Sequence, residues 1–186
     1  MKFIVILFIY FIYSIADENT LDFTDKHKYF IKTHYGSMAL HRFYIIEEEI
    51  FNLQYTSNKL HKLRTINKLI NKFHFKEDIK HWNQIDYWAS LIELIGTGAG
   101  DGEDFAMAKY FILSHLGFAK NQFKFFINKK NNQIVLGYQH KKEGKYVILN
   151  HKTDSISILY DDLEYSPLEI SDKFINEQYN KMLMIN

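Results

Sequence analysis

The sequence predicts an α+β domain in which helices pack on an antiparallel sheet. Apolar residues recur with helical spacing through much of the first half of the chain. After Gly117 the apolar period shortens to two, which is typical of strands. Short polar turns separate these alternating runs, so we expect a meander of neighbouring strands beside the helices.

Two helices are predicted before residue 75. The first covers Gly36 to Leu53, where apolar residues repeat every three or four positions. The second takes Ser57 as its N-cap and runs to about Phe73. Its outer face is rich in lysine, which favours an ordinary solvated surface over a docking site for an acidic partner.

The stretch from Asp86 to Gly117 organises the rest of the chain. A glycine-rich loop leads into a helix with Asp101 as its N-cap and Asp104 in the capping-box position. Gly117 is placed to end that helix at C′. Because free N–H groups and the helix dipole favour negative charge at a helix start, this tip is a candidate place for a reactive or metal-bound group.

Four strands and two hairpin turns are predicted after Gly117. The strands cover residues 123–127, 133–138, 146–149 and 156–159, and the turns cover 128–131 and 141–144. Beyond Tyr165, Ser166 to Glu169 resembles a helix start with proline at N1. The spacing of Phe174, Ile175, Tyr179, Met182 and Leu183 predicts an amphipathic C-terminal helix.

Length and composition limit the class of protein. With 186 residues the chain is expected to fold as one domain, and a net charge of +1 gives no sign of a nucleic-acid partner. Residues 1–16 combine a basic start with a short apolar run, which predicts a signal peptide. We therefore expect a periplasmic or otherwise exported protein with no membrane span after cleavage; an uncleaved N-terminal anchor is the alternative. Residues 17–33 are expected to be an extended lead-in, 34–165 the folded domain, and 166–186 a tail.

Three segments resemble one family, the bacterial transglutaminase-like cysteine peptidases of the LapG type. The run GDGEDFAMAKYF, which begins at Gly100 and places Asp101 and Gly102 second and third, is similar to the family's G-D-C-E-D-Y-A-I-A-K-Y. DYWAS, beginning at Asp86, is similar to its D-Y-W-A-T-P, and YGSMALHRF, beginning at Tyr35, to its Y-G-x-x-A-x-x-R. The resemblance covers roughly Tyr35 to Tyr165 and implies a papain-like or transglutaminase-like cleft between a helix and a sheet.

The chain departs from this family at the residues that would carry catalysis. Gly102 stands where the family has its cysteine, and the chain contains no cysteine. The resemblance aligns Gln133 with the family's histidine and Asn150 with its aspartate, a separation of 150 − 133 = 17 residues. A thiol nucleophile needs a base to take its proton and a group to orient that base. Gly102 has no side chain, Gln133 cannot titrate, and Asn150 can orient an imidazole only poorly.

The acidic residues beside Gly102 are candidate metal ligands. Asp101, Glu103 and Asp104 place three carboxyl groups within four residues. Calcium prefers six to eight oxygen ligands, and a divalent ion would relieve the repulsion among these groups. Helix capping alone is the alternative explanation. The resemblance implies calcium, because the family binds it beside its cysteine.

Three functions remain open at this point. The resemblance implies an exported pseudoenzyme whose partner is an adhesin segment or the periplasmic domain of an inner-membrane cyclic-di-GMP receptor. The first alternative is an active peptidase or transferase that uses other residues, with His140 or His151 as base. The second is a purely structural exported protein.

Overall fold

The computed structural model describes residues 23–140, 145–159 and 164–183. Seven α-helices are found in these ranges: α1 Asp25–Tyr35, α2 Ser37–Gln54, α3 Lys59–Ile70, α4 Asp78–His81, α5 Leu91–Thr97, α6 Gly102–His115 and α7 Asp172–Leu183. The strands are β1 His74–Phe75, β2 Ala99–Gly100, β3 Phe123–Asn128, β4 Gln133–Gln139, β5 Tyr146–Leu149, β6 Ser157–Leu159 and β7 Tyr165–Leu168. This is the predicted α+β class.

The main sheet has five antiparallel strands in the order β6-β5-β4-β3-β7. Phe123 pairs with Tyr138 and Asn128 with Gln133 across β3 and β4, and Leu136 pairs with Leu149 across β4 and β5. The start of β4 and the end of β5 therefore lie at the same end of the sheet. Residues 141–144, predicted as a turn, lie outside the described residues.

Helix α6 is the central element between the other helices and the sheet. Eleven of its residues are buried. It packs on β4 on one side and on α3 and α5 on the other. Such a helix is apolar nearly all round because both of its sides face other elements. Its N-terminus consequently meets the end of the sheet where β4 begins.

The predicted extended lead-in at 17–33 is wrong for its described part. Asp25–Tyr35 is a helix, with Ile31 and His27 buried against the core. Phe23, His27, Ile31 and Tyr35 recur every four residues, which is the spacing of one helix face. This four-residue spacing is present in the sequence, but the polar residues between these positions make the segment resemble an extended one.

The predicted division between the domain and a tail at 165/166 falls inside β7. Tyr165–Leu168 pairs with β3 instead of starting a helix, and Pro167 lies opposite Phe126. Proline is tolerated there because β7 is the edge strand and the missing N–H faces away from the ladder. The helical tail is confirmed as α7, and its Tyr179 and Met182 are buried in the core.

Smaller differences concern element ends. Helix α3 takes Asn58 as its N-cap and ends at Ile70, where the sequence predicted Ser57 and Phe73.

The signal peptide predicted at 1–16 lies outside the described residues. Among the helices that the structure describes, none combines the length and apolar character needed to cross a bilayer.

Candidate functional site

The glycine-rich loop before α6 is held by caps at both ends. Ser90 and Glu93 form a capping box at the start of α5, and the serine-to-glutamate spacing in the sequence is typical of one. Helix α5 ends at Gly98, whose φ of +75° is a left-handed conformation that glycine adopts without strain. Arg42 donates to the carbonyls of Ile95 and Gly96 over 2.8 and 2.6 Å. These hydrogen bonds attach the last turn of α5 to α2, and they fix the point at which the glycine-rich loop leaves α5.

Gly102 is buried at the first turn of α6 and lies against Gln133. Its backbone N–H donates to Gln133 Oε1 over 3.1 Å. A Cβ placed on Gly102 would lie 2.5 Å from that oxygen and 3.0 Å from the backbone nitrogen of Ile134. Two of the three positions aligned with a triad are therefore adjacent. The Gln133 amide occupies the space that a side chain at residue 102 would need.

Asn150 follows β5 at the same end of the sheet, but it has different contacts. Its side-chain oxygen accepts a hydrogen bond from the Lys152 backbone N–H over 2.8 Å. Its carbonyl accepts another from the Asn71 amide over 2.9 Å. The amide of Asn150 therefore stabilises the local turn, while Gln133 is bonded to Gly102.

Asp101 and Asp104 take the predicted capping-box arrangement at the start of α6. The Asp101 backbone N–H donates to Asp104 Oδ2 over 3.3 Å, and the Ala89 N–H donates to Asp104 Oδ1 over 2.6 Å. Both carboxyl groups are buried. In the described part of the chain, Asp101 Oδ1 is buried with no hydrogen-bond partner. Capping alone therefore leaves one buried oxygen unsatisfied.

The structure adds two acidic residues that the sequence reasoning missed. Carboxylate oxygens of Asp78, Asp101 and Asp104 lie within 4.8 Å of one another, and so do those of Asp78, Asp86 and Glu103. These five residues are here called the acidic cluster. Asp78 is buried, and its Oδ1 has no partner among the described residues, while Oδ2 accepts the Tyr87 N–H over 2.6 Å. Asp86 was visible in the DYWAS segment, but nothing in the sequence pointed to Asp78.

Electrostatics in the acidic cluster favours an added positive charge. Burial and then repulsion from Glu103, Asp104 and Asp78 hold the pKa of Asp101 well above its usual range. Burial raises the pKa of Asp104 to about 7, and it also raises the pKa values of Glu103 and Asp78. Like charges in a dry site disfavour ionisation unless a cation balances them. The unpartnered oxygens, the spacing and the all-oxygen donor set fit a hard divalent cation such as calcium.

A second buried charged region lies about two turns further along α6. Lys109 is 1% exposed and donates to Asn71 Oδ1 over 2.8 Å and to the Leu149 carbonyl over 3.4 Å. Its neighbour His151 stacks on Phe75 with ring centroids 5.2 Å apart. Burial lowers the pKa of Lys109 to about 7 and that of His151 to about 4. We call Lys109 and His151 the buried basic pair.

The C-terminal helix is tied to the segment before the glycine-rich loop. Lys181 Nζ donates to the Tyr87 hydroxyl over 2.7 Å and to the Trp88 carbonyl over 3.1 Å, and it lies 3.1 Å from Glu93 Oε2. Tyr87 in turn donates its hydroxyl to Glu93 Oε1 over 2.7 Å and its N–H to Asp78. One chain of contacts therefore links α7 to the acidic cluster.

Comparison with family models identifies the chain. The model described as bacterial transglutaminase-like cysteine proteinase, BTLCP, matches residues 41–182. This chain belongs to that family. The match covers the glycine-rich loop, the acidic cluster and all three aligned positions, and it extends to Met182 in α7. It therefore confirms the family predicted from the sequence motifs.

Solved structures give the same result for the fold. Calcium-bound LapG of Legionella pneumophila is 27% identical, with a TM-score of 0.64 over 77% of this chain and 80% of that chain. Two other LapG structures from this organism, one of them EGTA-treated, are 24% identical over 85% of this chain and 96% of theirs, with TM-scores of 0.69 and 0.70. The transglutaminase-like fold is thereby confirmed. A comparison with curated proteins finds no match.

Proposed function

We propose that this chain is a non-proteolytic member of the transglutaminase-like cysteine proteinase family. The observation that carries the proposal is the hydrogen bond between the Gly102 N–H and Gln133 Oε1. In a working site of this family, a thiol would stand at the helix tip with a base opposite it. Here the tip bears no side chain, and an amide that cannot titrate fills the space. Loss of the nucleophile alone lowers turnover by about 10⁶ in a well-studied triad hydrolase.

The candidate bases named from the sequence do not favour the alternative of an active enzyme. His151 is packed between aromatic rings, 5.2 Å from Phe75 and 6.2 Å from Phe105 by centroid distance. His140 is exposed at the end of β4. Ser114 lies on the last turns of α6, at the opposite end from Gly102. A base and a nucleophile must lie within hydrogen-bond reach, and neither Ser114 Oγ nor either ring nitrogen of His151 has a hydrogen-bond partner among the described residues.

Calcium binding at the acidic cluster is part of the proposal. Asp78, Asp101 and Asp104 would supply the buried oxygens, with Asp86 and Glu103 beside them. A related structure at 27% identity is described as calcium-bound. Calcium would supply charge that holds the carboxylates, the loop and the tip of α6 together. The residues themselves orient that tip through Ala89 and Tyr87.

The partner and compartment follow from the family resemblance. We propose that the protein is exported and binds an adhesin segment or the periplasmic domain of a cyclic-di-GMP receptor. Such binding would serve control of a surface adhesin in biofilm formation without cutting it. Retention of the fold and of the acidic cluster beside an emptied tip supports this role over a purely structural one.

The test compares cleavage with binding. The full chain is incubated with calcium and an adhesin linker that contains an Ala-Ala pair; we expect no cleavage. The triple variant Gly102→Cys, Gln133→His, Asn150→Asp is expected to regain cleavage, and the matched triple with Gly102→Ala has no thiol and should not. Cleavage by the natural chain would overturn the proposal. Failure of the natural chain to bind either partner in a pull-down would overturn its binding role.

A further inference from the structure

A small cavity lies between α2, the end of α3 and β1, away from the Gly102–Gln133 contact. Its volume is about 170 Å³. Three positively charged or protonatable groups line it: Arg42 on α2, Lys72 just after the end of α3, and His74 on β1. Its remaining walls are Ile45, Ile46, Leu69, Phe73 and Gly98. We call this cavity the cationic pocket.

The charges around the cationic pocket are not balanced. None of the described residues that line it is acidic. Arg42 uses Nε and Nη2 on two carbonyl oxygens, and no ion pair is found for Arg42, Lys72 or His74 within the described ranges. Burial without a counter-ion lowers the pKa of the Arg42 guanidinium. A half-buried guanidinium beside a lysine and a histidine imidazole attracts an anion.

The walls and the volume restrict which anion fits. Three aliphatic side chains and a phenylalanine line the pocket together with the basic groups, and Ile45 is 39% exposed. A phosphate would need donors all round and would also meet apolar carbon. A carboxylate on a short branched chain would suit both kinds of lining, since its head can meet the basic groups and its tail the aliphatic side chains.

We propose that the cationic pocket binds a carboxylate carried by a short aliphatic group. The carboxylate lies between Arg42 and Lys72, with the His74 imidazole as a further donor, and the alkyl group contacts Ile45 and Leu69. A free branched acid and the last residue of a peptide share this chemistry. The proposal is independent of the proposed function, because neither the acidic cluster nor Gly102 lines the pocket.

The first experiment is calorimetric titration of the full chain with 3-methylbutanoate. We expect saturable binding with a dissociation constant on the order of 1 mM, as is usual for a ligand of this size. The neutral 3-methylbutanamide should bind about tenfold more weakly, because it lacks the charge-assisted contacts. Acetate and inorganic phosphate should also bind more weakly. Equal affinity for acid and amide, tighter binding of phosphate, or no saturable heat would overturn the proposal.

Variants test the location of the site, and a pair of peptides distinguishes a free branched acid from a peptide terminus as the natural ligand. Lys72→Gln should weaken 3-methylbutanoate binding by roughly two- to fivefold, as exposed charge pairs usually do. Lys68→Gln, an exposed lysine in the last turn of α3 that does not line the pocket, is the matched control. Equal effects of the two variants would overturn the site. Acetyl-Gly-Leu with a free carboxyl end should bind better than its amide; if it also exceeds the free acid, the natural ligand is a chain terminus.

Discussion

Helix α6 contacts two buried charged regions that differ in how their polar atoms are satisfied. In the buried basic pair, Lys109 donates to an amide oxygen and a carbonyl, so its charge has partners within the chain. In the acidic cluster, oxygens of Asp78 and Asp101 have no partner among the described residues. A buried charge is tolerated only when it is compensated. The comparison shows that Lys109 is partnered within the chain although both His151 ring nitrogens are not, whereas the carboxyl groups of the acidic cluster need a cation or protons.

The largest expected effect comes from removing the Lys109 side chain. Lys109→Ala should lower the free energy of unfolding by about 3 kcal/mol, because it leaves a cavity and removes the donor to Asn71 and Leu149. Chemical denaturation measures it. Lys109→Met, which keeps most of the volume, should cost less. An effect no larger than that of the exposed Lys68→Ala would contradict the view that this region depends on its lysine.

The next effect concerns the acidic cluster. Calcium at a hundred times its dissociation constant should raise the free energy of unfolding by about 2.7 kcal/mol, because it binds only the folded chain. Asp78→Asn keeps an acceptor for the Tyr87 N–H but removes a charge, so it should abolish most of this gain. Glu48→Gln, on an exposed face of α2, is the matched control.

Calorimetry gives the decisive result for the metal. No heat on adding millimolar calcium, together with no change on Asp101→Ala, would exclude the ion. The carboxyl groups of the acidic cluster would then be neutralised by protons and satisfied by the capping hydrogen bonds. The acidic cluster and the buried basic pair would then differ only in their protonation.

A third prediction tests how tightly the tip of α6 is filled. Gly102→Cys alone should destabilise the fold by about 1.5 kcal/mol, because its Cβ would crowd the Gln133 amide and the Ile134 backbone. Adding Gln133→Ala should recover part of the loss, since the nearest contact is the end of a flexible side chain. Thermal unfolding of both single variants and the double variant measures this. Additive losses would show that the two residues do not compete for space.

The smallest effect is a pH dependence from His151. Its pKa in the fold is about 4, below the ordinary value of 6.5, so the unfolded chain binds an extra proton between these values. Stability from this residue therefore rises as pH increases from 4 to 6.5. His151→Phe should reduce that rise by about 1 kcal/mol, since the ring is only partly shielded from solvent. Denaturation at both pH values, with calcium removed, provides the measurement; an unchanged profile would contradict it.

The acidic cluster should produce the opposite slope. Its carboxyl groups have raised pKa values, so without a cation they lose protons, and stability, as pH rises from about 4 to 7. The difference between the natural chain and His151→Phe isolates the histidine. His151 and the acidic cluster are therefore distinguished by the sign of their contributions to the pH dependence of the free energy of unfolding.

The sequence predicted what depends on local spacing. The capping boxes at Ser90 and Asp101 and the stop at Gly117 follow from neighbours within four residues. The strands from Phe123 to Leu149 follow from period-two alternation bounded by turns. The proximity of Gly102 and Gln133 came from a long motif, because no spacing rule brings residues 31 positions apart together.

The remaining features depend on tertiary contacts. Asp78 reaches the acidic cluster because β1 pairs with β2 and places the start of α4 beside Asp101. Nothing near Asp78 in the sequence indicates that pairing. Pro167 suits a helix start and an edge strand equally well, and only the position of β7 beside β3 decides between them.

The tether at Lys181 makes the carboxyl end of the chain relevant to the loop before α6. A protease that trimmed α7 short of this residue would remove the cation beside Glu93 and free the Tyr87 ring, which Lys181 covers at 3.9 Å. Because the Tyr87 N–H is hydrogen-bonded to Asp78, loss of the Lys181 contacts would also disturb the position of Asp78 in the acidic cluster. Limited digestion of the C-terminus would therefore be a remote way to weaken metal binding.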